Sequence, residues 1–259
     1  MKKTSERNGA SVQSLDRGLT VLRLLAERGE STATDIAEEL GLHQSSASRL
    51  LRSLELAGFV CQPSYRRFAL DYGVLHFAGV TMESFPEVAA SVRVCAQINA
   101  ETGWGTASVI LREERLIYLA RFHGGPQNAS AFVSASNWPL HRSSPGLMLL
   151  YHQRGKKMIP ALAASIKRHG TKKERRSPKG LYEYVRRNVS RNGVLALKGF
   201  AGNAFNVSGI FQTRRGPASL ALFSPSSKAS IKNVVKVLKD ALAKLNGQLN
   251  PSSQDNGKE

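Results

Sequence analysis

Gln44, Ser45, Ser46, Ser48, Arg49 and Arg52 share a stretch whose apolar residues, Ala47, Leu50, Leu51 and Leu54, recur at i, i+3, i+4 and i+7. That spacing predicts a helix with its leucines on one side and an amide, hydroxyls and guanidinium groups on the others. A glutamine amide donates and accepts, matching adenine N6 and N7, and a hydroxyl can bond a base edge or a phosphate. A guanidinium holds two phosphate oxygens in parallel bonds. The chemistry is recognition of nucleic acid, with Gln44 and the serines offered to base edges or phosphates, which of them reads bases not being fixed by sequence, and Arg49 and Arg52 holding phosphates. Tyr65, Arg66 and Arg67 add an aromatic and two cations a short way downstream, within reach of a neighbouring groove.

These residues need elements to hold them. A first helix is predicted to begin after Ser14, a residue type that caps helices, with Leu15, Leu19, Leu22 and Ala26 on its inner face, and to end at Gly29. Thr32 and Asp35 have capping-box spacing, and the short helix behind them carries Ile36, Ala37 and Leu40 before Gly41. The third helix starts near Gln44 and stops at Gly58. Two short helices joined by a glycine-containing turn, the second polar at its start, fit the major groove of a duplex. Free backbone N–H groups at the starts of the second and third helices make Thr32, Thr34 and Gln44 candidates for phosphate contacts. Residues 59–70 read as two β segments around a Pro63-Ser64 turn, a wing, and residues 71–83 as a linker helix.

The division expected is a flexible arm over 1–10, a winged helix-turn-helix over 11–72, a linker helix over 73–84, a second domain over 85–248 and a disordered tail over 249–259. In the second domain a helix from Pro86 carries Val88, Val92, Cys95 and Ile98 and stops at Gly103. Strands are predicted at 104–111, 116–121, 129–134, 194–200, 207–213 and 218–223, the first two joined through Arg112-Glu113-Glu114 and the last two through Arg214-Arg215-Gly216. Helices are predicted at 146–154, 156–169 and 179–192, and a last one places Ile231, Val234, Val235, Leu238, Leu242 and Leu245 on one face. Helices alternating with strands around a sheet make an α+β or α/β module able to enclose a small cavity.

Composition narrows the class. The chain has 259 residues, long enough for two domains, and 37 Lys plus Arg against 19 Asp plus Glu, a formal charge of +18 that favours polyanionic partners. No apolar run approaches the ~20 residues of a membrane span, and no signal sequence is evident, so a soluble cytoplasmic protein is expected. Cys61 and Cys95 sit in apolar stretches and read as free thiols. The histidines, His43, His76, His123, His141, His152 and His169, are scattered with no ligand-like spacing, and no nucleophile elbow, phosphate loop or dinucleotide fingerprint is present. Neither a metal, a cofactor nor catalysis is expected.

Ser14-Leu15-Asp16-Arg17, then Gly41-Leu42-His43-Gln44-Ser45-Ser46-Ala47-Ser48-Arg49-Leu50-Leu51, then Leu54 and Gly58, resembles the DNA-binding domain of IclR-type bacterial regulators. Pro139 to Leu150 resembles that family's Pro-Leu-His…Gly-Lys-Ala-Leu-Leu segment. The resemblance implies a winged helix-turn-helix, a linker helix and a GAF-like effector domain, and adds Arg17 to the DNA contacts. It further implies a homodimer or dimer of dimers on a pseudo-palindromic operator, with recognition helices roughly 34 Å apart or a multiple of that, and a small-molecule effector such as a small organic acid. By position, Ser108, Ser144, Gly146, Ala204, Asn206, Ala221 and Phe223 would bound the effector pocket. The chain departs from the family at Leu147, where a lysine is common, and at Ala221 and Phe223, where serines that contact carboxylate effectors are common.

The function expected is therefore a DNA-binding transcriptional regulator, with repression the commoner mode, whose affinity a small molecule adjusts. The alternatives are a constitutive regulator with a degenerate pocket, a nonspecific DNA-packaging protein and an enzyme acting on an anionic substrate. The run 167–176, with six basic residues and one acidic, is either a solvated loop or an extra electrostatic contact to DNA or another anion.

Overall fold

The structure is a computed structural model that describes residues 12–112, 115–124, 139–153, 158–170, 177–226 and 228–250. It divides into two compact units, residues 1–84 and 85–259. The expected arm over 1–10, the strand over 129–134, the Glu113-Glu114 turn, residues 171–176 of the basic run and the tail from 251 onward lie outside the described residues.

In the first unit α1 (Gln13–Arg28), α2 (Ala33–Leu40) and α3 (Gln44–Leu56) pack around Val21, Leu24, Leu25, Ile36, Ala37, Ala47 and Leu51, all buried. Val60, Phe68 and Leu70 of the hairpin β2 (Val60–Ser64) and β3 (Arg67–Leu70) close the same core. Gly41, with φ 61°, takes the left-handed conformation that lets α2 end and α3 leave in a new direction. The helix α4 (Gly73–Ser84) follows.

Three local expectations are corrected. The helix α1 starts two residues earlier than a Ser14 cap requires: Val12 is the N-cap, so Ser14 is inside the helix, and Leu15 and Leu19 are 60% and 50% exposed. The inner face is Gly18, Val21, Leu24 and Leu25. The wing turns at Tyr65-Arg66, not Pro63-Ser64, because Arg66 adopts φ 58° and Pro63 and Ser64 extend β2. A two-residue strand β1 (Ser31–Thr32), too short to show in a hydrophobic pattern, pairs antiparallel with Phe68 and Arg67 of β3 and ties the start of α2 to the wing.

The second unit is built on one antiparallel sheet of order β5-β4-β8-β7-β6. The strands are β4 (Gly105–Arg112), β5 (Arg115–Phe122), β6 (Leu195–Phe200), β7 (Asn203–Thr213) and β8 (Gly216–Ser224). One face packs on α5 (Pro86–Thr102) and α9 (Ile231–Leu249). There Thr106 Oγ1 donates to the Cys95 carbonyl at 3.1 Å, and burial pushes the Cys95 thiol up to about 12. The other face packs on α6 (Ser144–His152), with α7 (Met158–His169) and α8 (Pro178–Asn188) behind it and Val109, Leu147, Leu162, Leu181, Val185 and Leu197 in the shared core. The helix α8 ends at Asn188, earlier than the 192 expected, because Val189 becomes extended and bridges Leu195. Strand β7 begins at Asn203, earlier than the 207 expected, and pairs with β6 from there.

The β4–β5 pairing slips by one residue. Val109 faces Tyr118 but Ser108 faces Ala120, so Leu119 is an extra residue in β5. Strict alternation would put Tyr118 and Arg121 on opposite faces of the sheet. The bulge puts both on the α6 face, where the Arg121 guanidinium lies 5.3 Å from the Tyr118 ring centroid.

Candidate DNA-contact surface and ligand pocket

Burial of Ala47 and Leu51 fixes the rotation of α3, so Gln44, Ser45, Ser48, Arg49 and Arg52 are exposed and Ser46 is half-buried. The N-cap residue His43 makes no side-chain capping bond, which leaves first-turn amides of α3 available to an outside acceptor. Arg52 pairs with Glu55 one turn on at 2.9 Å, an exposed bridge that a phosphate can displace. Arg49 is exposed, one turn on from Ser45 along the same helix.

At the start of α2 the structure has a complete capping box. Asp35 N–H donates to Thr32 Oγ1 at 3.1 Å, and Asp35 Oδ2 accepts from the Thr32 N–H and hydroxyl, each at 2.8 Å. The Thr32 backbone N–H and hydroxyl lower the Asp35 pKa, with smaller help from the Arg67 and Arg28 charges. The Thr32 hydroxyl is thus already engaged within the helix start, whereas Thr34 is exposed. In the wing Tyr65 is 82% exposed and Arg66 stacks over its ring at 5.0 Å, with Arg67 following in β3 opposite Thr32. Arg17 is half-buried on α1.

In the second unit a cavity of about 300 Å³ opens on the α6 face of the sheet. Its floor follows from strand register: Ala107 lies beside Arg121 on one side and Ala221 on the other, and Gly105, Phe223 and Asn206 form the next row. Tyr118, Arg121, His123, Arg142, Ser143, Ser144 and Asn203 complete the polar wall, and none of the described lining residues is acidic. Asn206 Nδ2 donates to the Phe200 carbonyl at 2.8 Å, which fixes its amide. At the start of α6 Ser143 caps the helix by accepting the Gly146 N–H at 3.2 Å. Ser144, 2% exposed, has a side-chain oxygen with no hydrogen-bond partner among the described residues. Burial lowers the His123 pKa, and the Arg121 charge adds to this. Burial raises the Tyr118 pKa, against the Arg121 charge and the Ser143 hydrogen bond.

Of the pocket residues expected by position, Ser144, Asn206, Ala221 and Phe223 line this cavity. Ser108 does not. Its hydroxyl points to the other face of the sheet and lies 2.8 Å from that of Ser91 in α5. Gly146 is sealed behind Leu140 and Leu116, which a Cβ would meet at 2.8–3.0 Å. Ala204 is not on the wall although Asn203 and Asn206 are. Tyr118, Arg121, His123 and Arg142 were not expected there. Their one visible signal is polar residues inside an apolar strand and at a helix entry, and the bulge hides which way they face. Among the described residues no three His, Cys, Asp or Glu side chains are grouped to hold a metal, and no helix is long and apolar enough to cross a membrane.

Residues 14–64 match the family described as the IclR helix-turn-helix domain. The p-hydroxybenzoate hydroxylase transcriptional activator of Acinetobacter baylyi is 29% identical over 150 residues, which cover 54% of this chain and about half, 53%, of the activator. Among solved structures, an IclR-family regulator from Brucella abortus superposes with a TM-score of 0.74 at 17% identity, covering 98% of this chain and 97% of its own. An IclR transcriptional regulator from Silicibacter gives 0.72 at 21%, covering 91% and 96%. An IclR homolog from Microbacterium hydrocarbonoxydans, complexed with 4-hydroxybenzoate, gives 0.71 at 19%, covering 92% and 99%. Residues 14–64 thus carry an IclR-type helix-turn-helix domain, and the chain as a whole shares the fold of these solved IclR-type regulators.

Proposed function

We propose that the chain is an operator-specific transcriptional repressor, acting in the cytoplasm as a homodimer or dimer of dimers, whose DNA affinity is set by a small organic acid held in the second unit. The observation that carries the DNA reading is the rotation of α3, which buries Ala47 and Leu51 and turns Gln44, Ser45, Ser48 and Arg49 outward together. Ser46, Arg52, Thr34, Tyr65, Arg66, Arg67 and Arg17 supply further polar and phosphate contacts, and Thr32 acts through the α2 cap. Titration against DNA from upstream of its own gene, with random DNA as competitor, tests this. A preference of ~10³ or more supports it, and equal affinity for both overturns it.

The ligand reading rests on Ser144. A buried hydroxyl with no partner costs free energy that a bound acceptor or donor recovers, and Ser144 is among the residues lining a cavity with Arg121, Arg142 and His123 in its wall and no carboxylate among the described lining residues. A volume of about 300 Å³ is at the small end of ligand pockets and suits one ring or a short chain. The 4-hydroxybenzoate bound by the Microbacterium homolog is the first compound to try. Thermal stabilisation that grows with ligand concentration supports sensing, since a ligand of the native state adds about RT ln(1 + [L]/Kd). A flat response across aromatic and aliphatic acids favours the second reading, a constitutive regulator, for which the replacement of polar wall by Ala221 and Phe223 speaks.

A further inference from the structure

The positive charge is not where the DNA-reading helix is. Residues 1–84 hold ten Lys plus Arg and ten Asp plus Glu, whereas residues 85–259 hold 27 and nine, so the entire +18 belongs to the second unit. From Arg115 to Lys239 the sequence has 23 cationic side chains and only two carboxylates, Glu174 and Glu183. Glu183 is already paired with Arg186 at 2.8 Å.

The cations gather along one border of this unit. Helix α8 packs on β6, the edge strand of the sheet, and α7 packs on α8. Lys167 and Arg168 in the last turn of α7, Lys179 and Arg187 on α8, Arg191 in the following turn and Lys198 on β6 are all exposed. Among the described residues none of these six has an ion pair with an acidic residue, Glu183 being taken by Arg186. So one-sided a charge destabilises the compact state by self-repulsion, which a bound polyanion relieves.

We infer that the α7–α8–β6 border of the second unit binds the sugar-phosphate backbone of duplex DNA beyond the operator, as a contact indifferent to sequence. This rests on the DNA-binding reading above, since that places the border close to a polyanion at high local concentration. Base reading stays with the nearly neutral first unit, and electrostatic affinity comes from the second. Each phosphate neutralised releases counterions and adds about 0.9 to the slope of log K against log salt.

The test uses the full chain on two duplexes carrying the same operator, one trimmed to its ends and one with random-sequence flanks, from 50 to 200 mM salt. Flanks should steepen the slope by about 3 to 4 and tighten binding at the low-salt end by about 100-fold relative to the high-salt end. The combined variant Lys179→Gln, Arg187→Gln, Arg191→Gln and Lys198→Gln should remove that difference while leaving the trimmed operator bound as before. Arg187→Lys with Arg191→Lys should keep it, because counterion release follows charge. Equal slopes on the two duplexes, with operator preference intact, overturn this inference alone. Failure to bind either duplex overturns it together with the regulator reading. Tighter binding to phosphatidylserine vesicles than to flanked DNA at the same salt overturns it in favour of a lipid surface.

Discussion

The ring of Phe223 lies over the Cα of Gly105 on the neighbouring strand, so close that a methyl group added to Gly105 would stand 2.2 Å from Phe223 Cε2. Glycine is therefore required at 105 by the aromatic at 223, and the two together shape the floor of the cavity. Gly105→Ala should destabilise the chain by roughly 1–3 kcal/mol through overpacking, read as a shift in denaturant midpoint at constant slope. Adding Phe223→Ala should return most of the loss. If the double variant is as unstable as the sum of the singles, the ring does not occupy that space.

Ser143 and Ser144 are adjacent, equally buried and opposite in what they contribute. Ser143 caps α6, so Ser143→Ala should cost about 1 kcal/mol. Ser144 Oγ has no partner among the described residues, so Ser144→Ala should leave the free protein as stable as before or more so. The same change should weaken any carboxylate effector. A destabilising Ser144→Ala with unchanged ligand response would show that its hydroxyl is structural.

The α2 cap gives a pH dependence with a definite sign. The Asp35 carboxyl is held below its ordinary value in the folded state, chiefly by the Thr32 N–H. Its contribution to stability is therefore present above the ordinary carboxylate range and is lost as pH falls through the lowered value. Thr32→Ala should cost about 1 kcal/mol at neutral pH. Unfolding of Asp35→Asn measured from pH 7 downward should converge on the unmodified chain at acid pH, and parallel curves would remove Asp35 from the account.

Gln44 and Arg49 should separate on binding. Gln44→Ala should cost about 1–3 kcal/mol on the operator and relax preference at one base pair, leaving random DNA unaffected. Arg49→Ala should weaken all sequences alike and lower the salt slope by about 1. Competition titrations on operators substituted one base pair at a time read both, and a sequence-neutral loss for Gln44→Ala would move base reading to the serines.

The helix-turn-helix was legible because its signals are local. The Thr32–Asp35 spacing, Gly41 in a left-handed conformation and the four apolar residues of α3 each specify their own turn of chain. In α1 the sequence offers two leucine registers, and the core chose Val21, Leu24 and Leu25, which only packing against Ile36 and Leu51 decides. The pocket was half legible for a different reason. Both faces of β4 and β8 are covered, so burial runs unbroken along them and parity has no hydrophobic signature. Family position could carry Ser144, Asn206, Ala221 and Phe223 to the right place, but it could not show that Ser108 points at α5 or that Tyr118, Arg121 and His123 point inward.

The extra residue at Leu119 makes the inner surface of the cavity depend on how β5 is paired as well as on side-chain identity. Deleting Leu119 would restore regular pairing and leave Tyr118 and Arg121 on the cavity face. Ironing out the slip at constant length, with Leu119 opposite Ser108, would instead bring Ala120 opposite Ala107 and turn Arg121 to the α5 face. The wall would lose a cation without any change at position 121. A relative of this chain could thus abandon acids for uncharged ligands through a substitution that removes the bulge, and an alignment of the wall residues would not show it.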